Sequence, residues 1–310
     1  MVQYVLRRLL IAVPMLLGAM SIVFFAMRVL PGNPCMAMMG DQATTEALED
    51  CTKSLGLSRP LAVQYADYLA GLARLDLGMS LVQRVSVASI VGSRLPYTLL
   101  LAAGALAVAL GVGLPVGVVT GVWRGTLVER VLMLVALVGQ SMPTFWSGIL
   151  LILLFAVTLG ILPASGADSW SALVMPSIAL GALSMATFAR ITRTSVVEEL
   201  GKDYVRAIRA KGVAMTPIVL RHVLRNASIP VITVAALEIA NLLAGAVIVE
   251  TVFAWPGLGQ LAIQSIAGRD FLVVQALVLL ASFTYVALNL LADCLYSVVD
   301  PRITLLAGTR

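Results

Sequence analysis

Few side chains in this 310-residue sequence could do chemistry, and they fall into three groups. The first is a lone carboxylate. Glu238 interrupts the otherwise uncharged run 226–249, and Asn241 and Gly245 share its helical face at i+3 and i+7. An acid inside such a run is costly in a bilayer, so it faces protein or a wet cavity, where it could carry a proton or pair with a cation. The second is a polar stripe through Gln275, Ser282, Asn289 and Asp293. For both faces two readings stand: walls of a hydrated route, with Glu238, Asn241, Ser282 and Asn289 lining it, or hydrogen bonds between helices. The third is the most charged stretch of the chain, Asp203 to Pro230, with Arg206, Arg209, Lys211, Arg221, Arg225 and the single His222.

Other chemistries lack their residues. Catalysis inside a membrane would need paired groups, and the one His lies in the charged stretch while Asp293 has no Asp partner in an apolar run. No G-x-x-x-x-G-K-[ST] occurs, so the chain cannot cradle nucleotide phosphates by that motif. No aromatic residues interleave with the basic ones, which argues against nucleic acid. Three cysteines (35, 51 and 294) are too few for a disulfide framework. Cys35 and Cys51 fall in one segment and are either bridged or two buried free thiols.

The elements that must position these groups are membrane spans. The chain is 60% hydrophobic and 12% charged with a mean hydropathy of +0.99, against about 45–50% apolar residues in a soluble domain. Spanning a bilayer takes about 20 apolar residues, and the uncharged runs predict six helices: about 9–30, 97–121, 144–160, 173–194, 228–252 and 272–297. Nineteen uncharged residues behind Arg7 and Arg8, with no A-x-A site, make the first run a retained span rather than a cleaved signal. Fourteen of the 21 Lys and Arg residues fall on one side of the predicted spans, including Arg124, Arg130, Arg302, Arg310 and eight between 190 and 225. Both termini and the charged stretch are therefore expected in the cytoplasm. The resulting divisions are 1–30, an external segment 31–96, a core 97–297 holding the charged segment 203–225, and a tail 298–310.

Within the external segment, Thr44 or Thr45 caps a helix ending near Gly56, Arg59-Pro60 opens another with Tyr65, Leu69 and Leu72 on one face, and VSVASIVGSRL forms a short separate one. Small residues at Ala105, Ala109, Gly113, Gly117 and Gly121 recur every fourth position, a ridge for close helix packing. Pro143 predicts a break, and Trp255 before Pro256-Gly257 suits a membrane interface. In the charged stretch, one helix over about 203–211 stops at Gly212. A second starts with Thr216 as N-cap and Pro217 at the first position, with Ile218, Val219, Val223 and Leu224 facing away from Arg221 and Arg225.

The sequence resembles the permeases of the dipeptide, oligopeptide and nickel class of ABC importers, nearly end to end. The likeness is carried by VLRRLL, PGNP, LGLSRPLAVQYADYLAGLARLDLGMS, SMPTFW, FAWPGLGQL, VDPRI and, above all, YVRAIRAKG with RHVLRNA. Importer permeases share E-A-A, three residues, G, nine residues and I-x-L-P; here Arg206, Ala207, Ile208, Gly212 and His222 to Arg225 keep the spacing and depart in type at 206, 208, 222 and 225. The resemblance implies an all-α, type I (MetI-like) permease core with an extra N-terminal helix, in a bacterial or archaeal plasma membrane. It implies a non-catalytic subunit for peptides, or alternatively for nickel, a metal chelate or glutathione. The expected partners are a second homologous permease, one or two ATPase subunits holding ATP and magnesium, and an external binding protein, with no cofactor in this chain. Asp203, Arg206, Ala207, Arg209, Lys211, Gly212, Arg221, His222 and Arg225 would engage the ATPase. An ion-coupled secondary transporter using Glu238 is the alternative of another class.

Overall fold

The computed structural model describes residues 2–29, 34–39 and 44–299. The helices are α1 (Val2–Val29), α2 (Pro34–Met39), α3 (Thr45–Ser54), α4 (Leu61–Ala73), α5 (Val87–Val122), α6 (Leu127–Ser141) and α7 (Thr144–Leu151), which continues as a π-helical stretch to Thr158. After a 3₁₀ turn at Trp170–Leu173 come α8 (Val174–Leu200), α9 (Asp203–Ala210) and α10 (Met215–Ile218). A π-helical turn (Val219–Val223) joins α10 to α11 (Leu224–Val252), and α12 (Leu258–Ala267) and α13 (Phe271–Val299) follow. The predicted stop at residues 30–33, the tail 300–310 with most of VDPRI, and the Asp293 side chain lie outside the described residues.

Five helical segments are long and apolar enough to cross a membrane: Leu10–Val29, Val87–Val122, Trp170–Leu200, Met215–Val252 and Phe271–Leu291. Leu127–Ser141 and Thr144–Thr158 are bent by 104° at a short break, and make a sixth if the pair is counted as one broken span. The bend has a local cause. Met142 is extended (φ −79°, ψ 130°), the conformation that a following proline imposes on its predecessor. The helix expected over VSVASIVGSRL is not separate. It runs through Pro96 into the second span, giving 36 residues or about 54 Å of helix. The fourth span is likewise longer than predicted, because α8 carries its charged end out to Leu200.

The described residues pack as two units, Thr98–Pro256 with the chain from Ala287 onward, and Val2–Tyr97 with Gly257–Val286. In the first, α5 and α8 meet along the small-residue ridge. A Cβ on Gly117 would lie 2.6 Å from the Ala189 carbonyl, one on Gly113 2.7 Å from that of Met185, and one on Gly181 2.6 Å from that of Ala105. Such approach is open only to glycine, and in lipid it supplies the packing that hydrophobicity cannot. Trp255, expected at a membrane interface, is instead 2% exposed in a core with Leu101, Met175, Leu180, Leu242 and Phe253. Its backbone N–H bonds the Glu250 carbonyl at 2.8 Å, and Ala254 adopts φ +48° to make that turn. The chain therefore reverses at the end of α11 and folds the indole inward.

In the second unit α4 lies on α1 through rings and one cation. Phe24 contacts Tyr65 and Tyr68 at 5.1 and 5.5 Å. Arg28 sits 3.5 Å over the Phe24 ring and donates to Gln64 Oε1 at 2.9 Å. Burial pushes the Tyr68 hydroxyl up to about 12, Tyr65 adding to the effect. Thr44 caps α3 by accepting from the Ala47 N–H. A disulfide joins Cys35 of α2 to Cys51 of α3, with Cα atoms 6.0 Å apart. The buried Asp270, just before α13, accepts from the Ser80 hydroxyl and from the Leu81 N–H at 3.2 Å, tying the 80–86 turn to α13.

Candidate functional site

The charged stretch is a helix hung between two spans. Helix α9 presents Asp203, Arg206, Ala207 and Arg209 to solvent and buries Val205, with Tyr204 and Ile208 partly covered. Val205 joins Val196 of α8, Ile218, Val223 and Ala227 in one apolar cluster. Arg206 pairs with Asp203 one turn back, both exposed, which in water contributes little. Gly212 turns the chain at φ +81° after Lys211, and a Cβ there would meet nothing within 4 Å. Its need for glycine is therefore conformational, not steric.

Beyond the turn the expected second helix is corrected. Helix α10 starts at Met215, its N-cap is Ala214 without a side-chain bond, and Thr216 is inside the first turn. Pro217 is tolerated because the first-turn N–H groups of a helix have no partner in any case. Nor does this helix stand apart, since the π turn at 219–223 splices it into α11. Within it Ile218, Val219 and Val223 are buried and Arg221, His222 and Arg225 exposed. All nine residues assigned to the handle thus occupy one segment, and its charged members all reach solvent.

One buried carboxylate holds this segment in place. Glu199, 7% exposed, accepts from Lys202 Nζ, from the Tyr204 hydroxyl at 2.8 Å and from Asn226 Nδ2 at 3.3 Å. The bond to Glu199 raises the pKa of Lys202, and burial, then the same carboxylate, raises that of Tyr204. A second tie lies nearby: Glu129 of α6 takes Arg193 Nε of α8 at 2.6 Å and the Gly125 N–H. Sequence reasoning passed over both. A signal for Glu199 exists, because Glu198-Glu199 end an apolar helix at its C-terminus, where the helix dipole disfavours acids. Such an acid needs donors, and the next residues supply them.

Of the residues considered for a route, Glu238 and Asn241 are brought together. Glu238 is half-buried on α11, takes a hydrogen bond from Ser184 Oγ of α8 and lies 3.5 Å from Asn241 Nδ2. Ser282 belongs to the other unit, and Asn289 is half-buried on α13. Glu250, not singled out in the sequence because it ends the uncharged run, has no exposure and accepts from Thr98 Oγ1 at 2.6 Å.

Residues 113–305 match the family described as binding-protein-dependent transport system inner membrane component, and residues 1–102 match the N-terminal region of such membrane components. The chain belongs to this family of inner-membrane permeases. The glutathione transport system permease protein GsiC of Escherichia coli K12 is 42% identical over 303 residues, 98% of this chain and 99% of the relative. The protein of the same name from Salmonella choleraesuis matches at the same identity and coverage. Among solved structures, an inward-facing MetNI methionine ABC transporter superposes with a TM-score of 0.58 at 20% identity, over 68% of this chain and 96% of that one. An amino acid ABC transporter with histidines gives 0.52 at 20%, over 67% and 92%. The permease thus has the MetI-like fold with an N-terminal addition, as the motifs implied. In that frame α9 is an exposed, basic segment between two spans of an inner-membrane permease.

Proposed function

We propose that this permease is one membrane subunit of an ATP-driven importer for peptide-class solutes, glutathione included. The likeness to glutathione permeases along nearly the whole chain supports the solute class. One observation carries the mechanism: α9 is a short, solvent-facing helix clamped between two long spans, with Arg206, Arg209, Lys211, Arg221, His222 and Arg225 exposed around it. A soluble ATPase pair closing beneath would push α9, and the connected ends of α8 and α11 would follow as levers. The membrane path would then alternate between inward and outward access, with Glu238 and Asn241 on its wall. ATP and magnesium belong to the ATPases, a second homologous permease completes the path, and an external binding protein delivers the solute. Both termini and α9 are cytoplasmic in this arrangement.

The deciding experiment is uptake of a labelled peptide or glutathione into vesicles holding the assembled complex, with ATP inside and ion gradients dissipated. Uptake that persists supports the importer. Uptake that needs a proton or ion gradient and ignores ATP would transfer the function to a secondary carrier working through Glu238.

A further inference from the structure

We propose that Glu199 is the positioning residue of the handle, converting three separate segments into one lever. The inference rests on the coupling role proposed above for α9 and assigns that role a residue outside the exposed docking set. The carboxylate collects donors from three places at once: Lys202 in the α8–α9 turn, Tyr204 at the start of α9 and Asn226 at the start of α11. Among the described residues no other side chain bonds α9 and the segments on both sides of it. Its own buried apolar contribution is Val205 with parts of Tyr204 and Ile208, a small hold for an eight-residue helix, far below the length at which a helix is stable alone. Its ion pair, Arg206 with Asp203, stays within the helix and fastens it to nothing.

Glu199 does not owe its position to α8 either. A carboxylate in the last turn opposes the helix dipole, so its three donors account for its presence there. With 7% exposure it cannot itself dock on a partner. It acts by holding α9 at a fixed angle to α8 and α11, so that displacement of α9 moves both. Without it, α9 can yield beneath the ATPase while the spans stay still.

The test uses the whole importer in liposomes, reading ATP hydrolysis with and without loaded binding protein, and solute carried per ATP. Glu199→Ala should leave assembly and unstimulated hydrolysis near wild type and cut solute-stimulated hydrolysis and solute per ATP by about tenfold, a coupling change of the size such networks carry. Tyr204→Phe should cost a few-fold alone and nothing further on top of Glu199→Ala, the non-additivity of residues acting through one contact. Glu199→Gln, which keeps an acceptor for Tyr204, should recover part of the loss. Normal coupling in Glu199→Ala, or additive losses in the double variant, overturns the proposal. Should Glu199→Ala fail to assemble, Tyr204→Phe and Asn226→Ala decide it, and full coupling in both overturns it. A wild-type complex with no solute-dependent hydrolysis would defeat the coupling reading itself, and this inference with it.

Discussion

Thr98 of α5 donates its hydroxyl hydrogen to the Glu250 carboxylate at 2.6 Å, and Glu250 has no exposure to solvent. The two residues are 152 positions apart, so the bond fastens the start of the second-span core to the end of α11. A carboxylate in that setting persists only while its acceptor oxygens are supplied with donors. Thr98→Val keeps the shape and removes a donor. It should lower stability by about 1–3 kcal/mol, read as an earlier thermal transition of the purified protein in detergent, whereas Thr98→Ser should stay near wild type.

Gly212 has φ +81° with open space around its missing Cβ. The obstacle to substitution is the left-handed backbone, which costs an ordinary residue about 1–2 kcal/mol. Gly212→Leu and Gly212→Pro should therefore abolish solute-stimulated ATP hydrolysis of the assembled complex while membrane insertion stays intact. Gly212→Asn should retain most of it, because asparagine enters this region readily. Equal coupling in all three would remove the turn from the mechanism.

The α5–α8 contact makes a paired prediction within one helix. A Cβ at Gly117 would meet Thr192 Cβ at 2.5 Å and the Ala189 carbonyl at 2.6 Å, while one at Gly111 would meet nothing within 4 Å. Gly117→Ala should cost about 1–3 kcal/mol by overpacking, and Gly111→Ala should be neutral or slightly stabilising. Detergent melting curves of the two variants separate them directly.

The packing ridge was legible in the sequence because its signal is periodic and local. So were five of the spans, the break at Pro143 and the turn at Gly212, each announced by composition or by one residue with restricted backbone freedom. Three features were not. Pro96 reads as a boundary, yet the helix passes through it. The π turn at 219–223 has no residue signature and fuses the short helix expected from Thr216 with the span expected from about 228. The partners of the buried acids lie too far along the chain, 64 residues for Glu129 with Arg193, 152 for Glu250 with Thr98 and 190 for Asp270 with Ser80. Trp255 misled for a related reason: an indole prefers interfaces in general, and only the reversal at Ala254 turns this one inward.

The bridge between Cys35 and Cys51 closes a loop over a separation of 16 residues, for which chain entropy gives about 3 kcal/mol. Intact-mass measurement without reductant should show two hydrogens fewer than after reduction. Cys35→Ser with Cys51→Ser should leave α5 to α11 folded and make the 34–59 segment sensitive to protease. Free thiols at both Cys35 and Cys51 in the unreduced protein would contradict the structure at this point.

Glu238 separates a wet wall from a purely structural contact. Its carboxylate takes the Ser184 hydroxyl and neighbours Asn241, and it is half-buried rather than enclosed. Glu238→Gln preserves size and an acceptor oxygen for Ser184, so a structural role tolerates it, with a melting temperature near wild type. A role on the solute path depends on charge. There the same change should alter the apparent affinity for a peptide bearing a free amino terminus by several-fold, since pairing with an ionised group contributes about 1.5–3 kcal/mol where a neutral bond gives about half. An amino-blocked peptide should feel little of it. The measurement is concentration-dependent uptake of both peptides by the two complexes. A loss confined to the free-amine peptide places Glu238 on the path, and unchanged kinetics for both returns it to the hydrogen bond between α8 and α11.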